Sequence, residues 1–153
     1  MRWLEHRIPP PIVVVIVAAA MWPLARFAPA VPLDDPWRWV LAAVLALCGL
    51  LVARAGVAAF ARHKTTINPV NIDAASSLVT SGIFARTRNP MYLGMTLLLL
   101  GWAVVLAGAW TFLGPVAFVL FITRFQIMPE ERVMTAKFGA AYETYRREVR
   151  RWI

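Results

Sequence analysis

The sequence predicts an all-α integral membrane protein with about four transmembrane helices, a tight hairpin between the third and fourth, and a C-terminal amphipathic helix on the cytoplasmic side. Three observations predict this class. Hydrophobic residues make up 60% of the 153 and charged residues only 16%, against roughly 25% charged in ordinary soluble domains. The apolar residues fall in long blocks rather than at the period of a half-buried helix or strand. The charges lie mostly between the blocks. Lipid is therefore the expected solvent for much of the surface. One membrane domain over residues 1–153 is expected.

The first block runs from about Pro11 to Ala28 and carries the β-branched run Val13 to Val17. In water that run reads as a strand. In lipid an isolated strand leaves its backbone unsatisfied, so the block must be helical. Pro23 is expected to kink its far end, and the block is short for the 20 or so residues of a full span. The basic start is followed by Met21-Trp22-Pro23 and Arg26 in place of a small-residue cleavage site, which predicts a retained first helix rather than a cleaved leader. Residues 29–36, with three prolines and two aspartates, form a loop. Trp37 and Trp39 then mark an interface and open the second block, to about Ala61. Arg54, inside it, is near enough to the basic end to snorkel. Cys48 lies alone within this block, so no internal disulfide forms.

Residues 62–91 are polar and too long for a mere connector, which predicts a functional or a disordered segment. The third block, 92–107, and the fourth, 110–128, are separated by Gly108-Ala109 alone and form the hairpin. Gly94, Gly101 and Gly108 recur every seven residues, as close helix packing through small residues requires. The tail, 129–153, opens on Pro129-Glu130-Glu131, a favourable first turn with acids at the positive end of the dipole. Phe138, Tyr142 and Tyr145 make one aromatic stripe. Arg146, Arg147, Arg150 and Arg151 are placed to touch anionic lipid head groups.

Basic residues orient the chain. The N-terminal arm, the 62–90 loop and the tail carry twelve Lys/Arg, against two flanking the 29–36 loop and none in the 108–109 turn. Both termini and the long loop are therefore expected in the cytoplasm, in what the small size suggests is a bacterial cell membrane. The same rule accounts for the net charge of +8, so no nucleic-acid partner is expected.

No dinucleotide fingerprint, P-loop, H-E-x-x-H or Cys/His metal spacing occurs, and no metal site is expected. What remains is a polar cluster. The hairpin brings the start of the third helix, Arg88, Asn89 and Tyr92, to the level of Glu130 and Glu131, because its two arms are about equally long. Cations, an amide, a phenol and two carboxylates converge at one membrane boundary. Interface anchoring with salt bridges is one reading of that cluster; a site is the other.

At these residues the chain resembles a known family. The stretch LVTSGIFARTRNPMYLG, Leu78 to Gly94, resembles the signature of the isoprenylcysteine carboxyl methyltransferases and phospholipid methyltransferases. The tail PEERVMTAKFGAAYETYRREVRRWI is similar to their second signature, and TTINP, Thr65 to Pro69, to small bacterial members. The resemblance implies S-adenosyl-L-methionine bound at the cytoplasmic face without a Rossmann domain. It places Ser76, Ser77, Leu78 and Val79 along the cofactor, with Gly82 allowing close backbone approach and Phe84 beside the adenine. Asn89, Pro90, Met91 and Tyr92 would hold the amino-acid end and ribose, and Glu130 would complete the site beside Glu131. Arg88 is a candidate to bind a carboxylate through its planar fork. Three departures bear on the acceptor. Asn89 stands where many eukaryotic members have His, Phe84 where a Tyr is common, and Gln126 where an arginine precedes the acid pair, leaving Arg124 as nearest substitute.

The implied chemistry is in-line methyl transfer to a lipidic or small-molecule acceptor, with membrane lipids as surroundings and no obligate protein partner. A carboxylate acceptor needs no base; an amine calls on Glu131 or water. The alternatives are an NADPH-dependent reductase of the sterol-reductase-like fold and a non-catalytic membrane scaffold.

Overall fold

The computed structural model describes residues 5, 7–62 and 77–153. Helix α1 spans Pro10–Phe27, α2 Asp35–Arg62 and α3 Pro90–Leu106. A short 3-10 turn, Ala109–Phe112, leads into α4, Leu113–Ile122, and a π turn at Thr123–Ile127 joins α4 to α5, Met128–Glu148. The described residues contain no strand beyond an isolated antiparallel bridge between Ala30 and Gly108. The protein is all-α, as expected. Helices α1, α2 and the continuous run Ala109–Glu148 are long and apolar enough to cross a membrane; α3 is a shorter apolar helix of 17 residues, about 25 Å of rise. The fourfold expectation thus becomes three long helices and one short one.

The short first block does form a helix, and the bundle explains why. Met21 is buried against Gly114 of α4. The Trp102 indole N–H donates to the Ala18 carbonyl at 3.1 Å. Buried side chains of α1, α3 and α4, among them Val13, Met21, Leu99 and Phe118, make one core. At the end remote from the polar cluster, Val31 N–H donates to Ala107 O at 2.8 Å and Ala109 N–H to Pro29 O at 2.9 Å. The loop after α1 and the hairpin turn are therefore stitched together.

The glycine repeat has a partner in α2. A Cβ built on Gly94 would lie 2.5 Å from the Gly49 carbonyl oxygen, and one on Gly101 would lie 3.1 Å from the Ala42 oxygen. Gly56 abuts Pro90 and Met91. Ala42, Gly49 and Gly56 recur every seven residues on α2, the counterpart of the repeat on α3, and near-backbone contact along that seam supplies the packing that lipid cannot drive. The other faces of α2 stay open: Val40, Leu47, Leu50 and Leu51 are exposed, as are Trp37 and Trp39 at its start. This is the surface of a helix solvated by lipid. Gly108 packs instead on Ala25 of α1 and on Ala28 just past its end.

The tail differs from expectation. No new helix begins at Pro129, because Ile127 and Met128 already have helical backbone. Pro129 lacks an N–H, and the π turn before it, in which Met128 N–H reaches Thr123 O, accommodates the break in the ladder. Glu130 and Glu131 therefore gain nothing from a free helix start; side chains must hold them. Gly94→Val would force a branched side chain into the Gly49 backbone. The expected outcome is a loss of about 2 kcal/mol, read as a lower Tm for the purified protein in detergent.

Candidate functional site

Beyond α2 the described chain resumes at Ser77 and runs without regular structure to Ser81. It turns at Gly82, whose φ of +66° favours glycine, into the 3-10 turn Gly82–Ala85. Phe84 is buried edge-to-face on Phe60, ring centroids 5.0 Å apart, so this turn docks on the end of α2 beside Ala59 and Val79. Asn89 then precedes Pro90, which opens α3 with a preset φ and no unsatisfied N–H.

The tail folds back onto that segment. Gly139 breaks α5 at φ +50°, ψ −126°, a conformation open in practice to glycine alone. Tyr142, Tyr145 and Val149 thereby pack around Leu78, and the Tyr145 hydroxyl donates to the Phe84 carbonyl at 2.7 Å. Past Glu148 the chain leaves the helix, with Val149 in an extended conformation. Arg88 N–H donates to Arg150 O at 3.1 Å, the Asn89 side-chain amide donates to Arg151 O at 2.9 Å, and Trp152 packs on the bundle core. The expected uniform basic face is thus divided. Arg146 pairs with Glu143 at the surface, while Arg151 turns inward.

Between these segments lies a cavity of about 300 Å³. Eleven of the residues singled out from sequence line it: Ser77, Leu78, Val79, Phe84, Arg88, Asn89, Pro90, Met91, Tyr92, Glu130 and Glu131. Ser76 lies outside the described residues. Gly82 shapes the turn without lining the cavity, and Arg124 pairs with Glu5 at 3.3 Å on the exposed side. The structure therefore does not bring Arg124 to the cluster, and Gln126 is spent on the Ile8 carbonyl at 2.9 Å. Sequence reasoning missed Pro10, Pro11, Phe60, Met95, Tyr142 and Tyr145, which also line it. The glycine inside the F-G-x-x-Y run was the signal available for the two tyrosines, since glycine in a helical pattern marks a break.

The charges are unequally used. Glu131, buried, takes Arg88 Nη1 at 2.8 Å, Arg151 Nε at 2.9 Å on the same oxygen, and Arg151 Nη2 at 2.7 Å on the other. These hydrogen bonds to Glu131 raise the Arg151 guanidinium above its ordinary pKa, partial burial opposing them. Arg88 Nη1 also reaches the Tyr142 hydroxyl at 3.4 Å. Its Nε is buried without an acceptor, as is Ser77 Oγ. Glu130 accepts a short hydrogen bond from the Tyr92 hydroxyl and, among the described residues, has no cation partner. No group of three potential metal ligands occurs among the described residues. The cavity thus presents unspent donors on Arg88 and Ser77, a carboxylate on Glu130, and mostly apolar walls. Such a site suits a small ligand bearing both charges and an apolar part.

The model of the phospholipid methyltransferase family matches residues 37–141. The chain belongs to the phospholipid methyltransferase family. Within this family match fall nearly all of α2, the Ser77–Asn89 segment, α3, α4 and the first two thirds of α5; Tyr142, Tyr145 and Arg151 lie beyond it. An uncharacterized protein of Haemophilus influenzae is 43% identical over 63 residues, 41% of this chain and 100% of that protein. The protein-S-isoprenylcysteine O-methyltransferase of Schizosaccharomyces pombe is 36% identical over 75 residues, 47% of this chain. A probable enzyme of the same name in Oryza sativa is 28% identical over 109 residues, 69% of this chain. The chain spans only 30% and 56% of those two proteins.

Glu131→Gln would leave Arg88 and Arg151 facing each other with no anion between them. Breaking a mostly buried pair this way costs about 3 kcal/mol, and thermal unfolding in detergent is expected to register it.

Proposed function

We propose that this protein is an S-adenosyl-L-methionine-dependent methyltransferase of the cell membrane, a single membrane domain acting at the cytoplasmic face on a lipidic or small-molecule acceptor. One observation carries the reading: the Leu78–Tyr92 and Glu130–Glu131 segments, distant in sequence, line one cavity within a chain of a methyltransferase family. When bound, the cofactor supplies a methyl group on a sulfonium, ready for in-line transfer.

The residues fit that molecule. Arg88 retains donors for a carboxylate, and Glu130 is a carboxylate without a cation partner among the described residues, which suits an ammonium. Val79, Phe84, Met91 and Met95 offer apolar walls for the nucleoside. Glu131 is saturated by two arginines, so we assign it to holding Arg88 rather than to taking a proton. Arg124, turned toward Glu5, is given no part. A cavity of about 300 Å³ is at the lower end for ligand clefts, which favours this cofactor over the larger NADPH of the reductase alternative. The cytoplasmic placement rests on the sequence distribution of basic residues, twelve in the N-terminal arm, the 62–90 loop and the tail against two flanking the 29–36 loop. No obligate protein partner is invoked.

Isothermal titration of the purified protein with S-adenosylhomocysteine tests the reading. Saturable binding is expected, with Glu130→Gln at least about tenfold weaker. Binding of NADPH and not of S-adenosylhomocysteine would replace it with the reductase; no binding of either would leave the scaffold.

A further inference from the structure

Arg151 lies outside the family match and does not line the cavity, yet it donates to both oxygens of Glu131, at 2.7 and 2.9 Å. Glu131 Oε2 belongs to Arg151, and Oε1 is shared between Arg151 Nε and Arg88 Nη1. A lone Arg and a lone carboxylate in low dielectric settle into a bidentate fork, two parallel hydrogen bonds. Arg88 cannot do so here, because the second oxygen is taken. Its closest approach to Glu131 is through Nη1, and its Nε is buried without a partner. The cluster carries two cations on one anion, and Arg88 is the cation that borders the cavity.

We propose that Arg151 is a positioning residue: by occupying both oxygens of Glu131 it prevents that carboxylate from capturing Arg88, and so keeps the Arg88 fork available to an anionic group of the ligand. The inference rests on the cofactor reading above and deepens it, assigning the ligand's carboxylate to Arg88 and the availability of Arg88 to Arg151. The supporting geometry includes the anchoring of the segment itself. The Arg151 carbonyl accepts from Asn89, the Arg150 carbonyl accepts from the Arg88 N–H, and Trp152 docks on the core. The side chain is therefore presented to Glu131 from a fixed backbone.

Remove Arg151, and Glu131 is free to take Arg88 by both oxygens. The loss should be confined to ligands that carry a carboxylate. The test compares two ligands by isothermal titration, S-adenosyl-L-methionine and its decarboxylated form, which keeps the sulfonium, the ammonium and the nucleoside. The intact protein is expected to favour the carboxylate-bearing ligand. In Arg151→Met that preference is expected to fall at least about tenfold, with affinity for the decarboxylated ligand little changed. In Arg151→Met combined with Glu131→Gln, where no anion remains to capture Arg88, the preference is expected to return. A simple loss of fold would weaken both ligands and would not be repaired by the second substitution. Equal losses on both ligands, an undiminished preference in Arg151→Met, or no recovery in the double variant would each overturn the inference while leaving the cofactor reading intact. Intact protein that binds neither ligand would overturn the cofactor reading and the inference with it.

Discussion

The buried carboxylate of Glu131 is the point on which the polar end of the molecule depends. It sits where the helix run from α4 into α5 leaves the apolar bundle, and it binds Arg88 from the segment before α3 and Arg151 from the extreme C-terminus. Three stretches separated by tens of residues meet at one anion. A carboxylate in such a place is costly unless its charge and its oxygens are fully engaged. Here they are, and the same engagement fixes where Arg88 stands. The apolar half answers to a different constraint. With lipid on the outside, helix association cannot rely on burying oil from water, and the seam of Gly49, Gly56, Gly94 and Gly101 brings α2 and α3 to near backbone contact.

The two halves are joined by helix irregularities rather than by loops. The π turn at Thr123–Ile127 absorbs Pro129 and continues the helix, so the acid pair is held at a set height above the core. The positive-φ break at Gly139 then kinks α5, and its second half brings Tyr142 and Tyr145 to the cavity wall. The π turn borders the cavity through Ile127, as unusual backbone often does near functional sites.

Much of this was legible in the sequence, for reasons that differ by residue. The spans are strong signals because length and apolarity are set by the bilayer; α1, α2 and α3 begin and end within about two residues of their expected bounds. The hairpin followed from Gly108-Ala109, and its geometry predicted, independently of the resemblance, that Arg88–Tyr92 would meet Glu130–Glu131. Eleven of the expected site residues line the cavity because the resemblance carried their order along the chain. Three things escaped. The helix start expected at Pro129 failed because proline reads as a beginning, and only the backbone reveals a π turn before it. Arg151 was read as a lipid contact because a basic run at a membrane rim usually is one; its pairing depends on the turn after Glu148, which periodicity does not encode. Arg124 was matched by proximity to an acid pair, whereas the tertiary fold gives it to Glu5.

The central claim is that the C-terminal residues complete the site instead of trailing from it. Hydrogen exchange across Arg88–Tyr92, compared between the intact protein and a chain ending at Val149, tests this most directly. With the Arg150 carbonyl and the Arg151 side chain gone, the account predicts markedly faster exchange there, while the interior of α2 and α3 keeps its protection. Equal protection of Arg88–Tyr92 in both chains would contradict it.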